Sequence, residues 1–100
     1  MAATRLDPRA AFLGIVRQAL RYRLASGQDR HLTIAHTHVN YAVILLDTAL
    51  RLGLRAGVPP GRLRVVEGLL DEAQAAQDRL QRVLLRRLGE KGPSLPGTGW

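Results

Sequence analysis

Residues Ala42 to Leu46 are apolar without interruption, and they lie in a segment whose apolar residues recur at helical spacing: Ala35, Val39, Ala42, Val43, Leu46, Ala49 and Leu50. A helix that is apolar most of the way round cannot lie half-exposed on a surface; it needs neighbours on more than one side. Ile44, Leu45 and Leu52 fall outside the main stripe, so one neighbour is not enough to cover it. This points to an all-α domain of three helices: a hairpin from the second and third, the first packed across it, and the assembly completed by dimerisation or a partner.

The flanking helices carry their own signals. Asp7-Pro8 is a helix start, with Asp as N-cap and Pro where its missing N–H costs nothing. The first helix is predicted to run to about Ala25 on a stripe of Phe12, Leu13, Val16, Leu20 and Leu24, flanked by Ile15 and Ala19, with Ser26-Gly27 ending it. The second is predicted to start near Asp29 or Thr33, either of which can cap, and to stop at Leu52 with Gly53 in the left-handed closing position. Pro59-Pro60-Gly61 then launches a third helix, Pro60 to about Leu88. Its seam is Val66, Leu69, Ala73, Ala76, Leu80 and Val83, widened by Leu70, Leu84 and Leu88. Gly14 and Gly68 sit inside helices at a cost of up to about 1 kcal/mol each relative to Ala, and are expected at close helix crossings. The domain spans 7–89, with 1–6 and the Pro- and Gly-rich 90–100 expected to be flexible.

Composition excludes several classes. A chain that is 46% hydrophobic but only 4% aromatic has an aliphatic core. The absence of cysteine rules out disulfides and thiolate metal sites. Arg17, Arg21 and Arg23 interrupt the first hydrophobic segment, against a secretory signal, and Asn40, Asp47 and Arg51 break the best candidate for a spanning helix. A soluble, cytoplasmic protein is the expectation.

Neither histidines nor acids form a recognisable reactive set. His36 and His38 point in different directions on a helix, and His31 lies near a helix start, so no metal site or other cofactor is expected. Arg30-His-Leu-Thr-Ile-Ala-His36 resembles, over that short stretch, the Arg and His spacing of HEPN-type ribonucleases, which would imply an RNA-cleaving pair. Ile34-Ala-His-Thr37 resembles the start of the phosphoacceptor helix of histidine phosphotransfer domains, but Val39 and Asn40 stand where that family has Lys and Gly. No family is assigned on either. The acids are scattered, and Glu67 with Asp71 lacks matching ligands on other helices, so an enzyme is not expected.

The net charge of +7 rests almost wholly on arginine, which suits anion recognition but is also what a GC-rich genome encodes. Arg79, Arg82 and Arg86 share a face of the third helix, and Arg17 and Arg21 pair on the first. Acids in the early half of the third helix and arginines in the late half follow the helix dipole, which explains the rows without a ligand. The leading expectation is therefore a non-enzymatic interaction module: an assembly factor, small chaperone, regulatory adaptor or structural subunit. Ile44, Leu45, Leu52, Leu85 and the terminal Trp100 are its candidate partner-binding residues. The alternative is a basic nucleic-acid-binding protein using Arg17, Arg21, Arg82 and Arg86, which must then converge on one face.

Overall fold

The computed structural model describes residues 7–91 and is helical throughout, apart from Asp7 and two short turns. Helix α1 spans Pro8–Gln28, α2 Leu32–Ala56 and α3 Pro60–Lys91. Contacts between helices are dominated by α1 with α2 and α2 with α3, so α2 is the central element, as its apolar circumference requires. Segment 1–6, the tail beyond Lys91 and Trp100 lie outside the described residues.

Local chemistry sets the boundaries. Asp7 accepts from the Arg9 N–H at 3.1 Å and Pro8 opens α1, as the sequence predicts. The helix then runs through Ser26-Gly27 to Gln28 rather than stopping at Ala25. The Ser26 hydroxyl donates back to the Arg23 carbonyl at 2.8 Å, which satisfies it inside the helix, and the Asp29 N–H closes the end on the Ala25 carbonyl. Neither Asp29 nor Thr33 caps α2: His31 is the N-cap residue and makes no side-chain cap bond, while Asp29 accepts from the His31 N–H.

Gly53 does not close α2. The helix continues for another turn, and Gly57, at φ 72°, takes the left-handed position. Gly53 instead provides the close crossing that was expected at Gly14 and Gly68. A Cβ at 53 would lie 2.7 Å from Leu63 Cδ2 and 2.9 Å from Phe12 Cε1, whereas Gly14 and Gly68 have nothing within 4 Å. Phe12, Gly53 and Leu63 thus form a junction of all three helices.

The core is lined with small side chains. Among the described residues, six of the twelve buried apolar side chains are alanine: Ala19, Ala35, Ala42, Ala49, Ala73 and Ala76. Small residues at the contact line let helix axes approach closely, and they push larger neighbours to the flanks. On α1 the buried line is accordingly Phe12, Ala19 and Ser26. Leu13, Leu20 and Leu24, placed in the core stripe by their spacing, are 43–63% exposed. The seam of α3 is closer to expectation, with Val66, Ala73 and Ala76 buried and Leu69 and Leu80 packed against the core, although Leu88 is exposed.

Candidate protein-docking face

The second row of α2 builds the site. Beside the buried line Ala35, Val39, Ala42, Leu46, Ala49 and Gly53 runs a parallel row, Ile34, His38, Tyr41, Leu45, Thr48 and Leu52, with the same alternation of four and three. Helix α1 covers this second row only in part. Tyr22 of α1 packs on His38, with ring centroids 5.9 Å apart, and on Tyr41 at 5.2 Å. What remains is an open groove of about 650 Å³ between α1 and α2. Ala11, Gly14, Ile15, Gln18 and Tyr22 line it from α1, and Tyr41, Ile44 and Leu45 from α2. No lining residue is charged.

Two of the sequence-predicted partner residues, Ile44 and Leu45, are therefore brought together on one face. Leu52 lies on the same helix and is half-buried against the core, outside the groove lining. Leu85 is exposed but belongs to a different region: the Asn40–Gln77 contact fixes the antiparallel register, which puts Leu85 roughly 18 Å along the bundle from Ile44. Gly14, Gln18, Tyr22 and Tyr41 were missed. The signal that could have found them is the second row of α2, which needs a second partner along its whole length.

The four arginines of the nucleic-acid alternative do not gather. Arg23 of α1 reaches Glu72 of α3 at 3.4 Å, which marks the register of these two helices. Arg82 and Arg86 then lie about 18 Å or more along the bundle from Arg17 and Arg21. The two pairs therefore form separate patches rather than one.

The histidines also separate. Asn40 links α2 to α3 by accepting from the Gln77 amide, and its own amide nitrogen lies 3.4 Å from His36 Nδ1. His36 thus belongs to the α2–α3 contact and His38 to the α1–α2 contact, and His36 Nε2 and His38 Nδ1 are buried without hydrogen-bond partners. Arg30 lies instead in the turn before α2, in a hollow of about 330 Å³ that it shares with His31, Arg87 and Leu84 but not with His36. Within one protomer the Arg and His of the ribonuclease-like spacing therefore line no common hollow among the described residues. Among the described residues no three His, Asp or Glu side chains gather as a metal site would need, and no helix is long and apolar enough to cross a membrane. No family model matches the chain, and neither does any curated protein or solved structure.

Proposed function

We propose that this protein is a non-enzymatic helical interaction module that works by burying the α1–α2 face against another protein surface. The observation that carries this reading is the uncharged groove around Tyr41 and Ile44, which are 49% and 59% exposed, in a chain of net charge +7. Large apolar side chains framing a continuous groove mark a docking surface more than isolated exposed residues do. Placing alanine at the helix contacts and the bulkier residues beside them suits a scaffold that completes its burial in an assembly. An assembly factor, a small chaperone, an adaptor and a structural subunit all act in this way.

Size-exclusion chromatography with light scattering, run at low and at about 0.5 M salt with the nucleic acid absorbance ratio recorded, tests the reading. A salt-resistant complex free of nucleic acid is expected. A monomer that carries nucleic acid at low salt and releases it at high salt overturns the reading in favour of the arginines, because phosphate contacts weaken steeply with salt.

A further inference from the structure

On the far side of α1 from the uncharged groove lies a second exposed row. Arg9, Leu13, Arg17, Leu20 and Leu24 follow spacings of four and three along one face of the helix, and all three leucines are exposed. On α3, Arg62, Val65, Leu69 and Glu72 share a face in the same way, and the contact of Glu72 with Arg23 shows that this face is turned toward α1. The two rows form the walls of a shallow cleft between α1 and α3. Leu13 lines a hollow of about 200 Å³ at one end, with Arg9 and Arg62. Leu20 and Leu24 line one of about 450 Å³ at the other, with Arg23 and Glu72. Val65 of the α3 wall is exposed as well.

Charge names the occupant. Helix α1 has no carboxylate, and Arg9, Arg17 and Arg62 form no ion pair among the described residues. Glu72 is held by Arg23, and Asp7, just before α1, serves as its cap. Arginines interleaved with exposed leucines call for a partner that offers carboxylates and apolar side chains at the same spacing. A nucleic acid backbone would satisfy the arginines and leave the leucines uncovered. A bilayer is flat, whereas these leucines line hollows between two helices.

Going beyond the uncharged docking face, we infer that the α1–α3 cleft binds an acidic amphipathic helix of another protein. Its apolar side chains lie against Leu13, Leu20 and Leu24, and its carboxylates pair with Arg9, Arg17 and Arg62. Leu13 to Leu24 is about three turns, roughly 17 Å, so a short helix covers the row. The protein then carries two unlike surfaces on either side of α1, one uncharged and one basic, as an adaptor that joins two partners requires.

The probe is a fluorescently labelled synthetic helix of about eighteen residues, roughly 27 Å long, with leucines at alternating spacings of four and three and glutamates flanking them. Its counterpart carries lysine in place of every glutamate. In anisotropy titrations with the full chain the glutamate helix is expected to bind in the micromolar range, and the lysine helix at least about ten-fold more weakly. The double variants Leu20→Gln, Leu24→Gln and Arg17→Gln, Arg62→Gln should each weaken binding about ten-fold or more. Their unfolding midpoints should move little, since these side chains are exposed. Ile44→Asp, in the uncharged groove, should leave binding unchanged. Equal binding of the two helices, no binding of either, or binding that both double variants retain overturns the proposal. Loss of binding in Ile44→Asp alone places the helix in the α1–α2 groove, which overturns this site and leaves the interaction-module reading standing. Capture of the chain through Leu20 and Leu24 by vesicles of phosphatidylserine and phosphatidylcholine, without binding of the glutamate helix, overturns the helix in favour of a bilayer.

Discussion

The ring of Phe12 in α1 rests on the backbone of Gly53 in α2, so close that a Cβ at position 53 would stand 2.9 Å from Phe12 Cε1. Leu63 of α3 closes the same point from the other side at 2.7 Å. This is where the three helices meet, and it is possible only because position 53 has no side chain.

Substitution of Gly53 by Ala is therefore expected to destabilise the fold by about 1–3 kcal/mol through overpacking, although Ala is the better helix former by about 1 kcal/mol. Gly68→Ala, where nothing lies within 4 Å, should instead stabilise by up to about 1 kcal/mol. Urea unfolding of both variants checks the pair. A stabilising Gly53→Ala would mean that the helices do not approach as described.

Leu46 and Leu24 separate the true core from the apparent one. Leu46 is 1% exposed, and its truncation to Ala is expected to cost about 2–5 kcal/mol. Leu24 is 63% exposed, and Leu24→Ala should change stability by no more than about 0.5 kcal/mol. Equal losses in thermal denaturation would contradict the orientation of α1.

The Asn40–Gln77 contact is a polar link in a largely apolar interface. Gln77→Leu removes the donor and leaves the half-buried Asn40 oxygen without it, at an expected cost of about 1–3 kcal/mol. The double variant Asn40→Leu, Gln77→Leu should recover much of that loss, since both polar groups are gone. A double-mutant cycle measures the coupling, and strict additivity would show that the two side chains do not interact.

Arg23 and Glu72 are the described ion pair joining α1 to α3, with side chains 26% and 63% exposed. Solvent screens a pair this open, so Glu72→Gln is expected to cost less than about 1 kcal/mol, a difference that shrinks further in high salt. A larger loss, unchanged by salt, would mean that the pair is more enclosed than its exposure indicates.

Ile44→Asp tests the docking face without touching the core. The side chain is 59% exposed, so the protomer's unfolding midpoint should move little. Self-association measured by sedimentation should nevertheless fall sharply, because a carboxylate would be forced into an apolar contact. Unchanged association would place the interface elsewhere.

The three helices, their order, the Asp7-Pro8 start and the central place of α2 are legible in the amino-acid sequence, because periodicity, capping and proline act locally, between neighbouring residues. It also pointed to Ile44 and Leu45, whose apolar character off the main stripe is visible without any structure. Which of two adjacent apolar lines each helix buries depends instead on how the helices pack. On α1 the lines through Phe12 and Ala19 and through Leu13 and Leu20 differ by one residue, about 100° of rotation, and bulk favours the second. The structure buries the first because Ala19 and Ser26 let α1 approach the alanine line of α2. Gly53 depends on packing too: a glycine one turn before a helix end resembles a terminator, and only the ring of Phe12 against it shows its role as a close crossing. The groove between Gly14 and Ile44 depends on the first of these choices, since turning α1 by one residue to bury Leu13 and Leu20 would bring Phe12, Ile15, Val16, Ala19 and Arg23 to the α1 positions that line it.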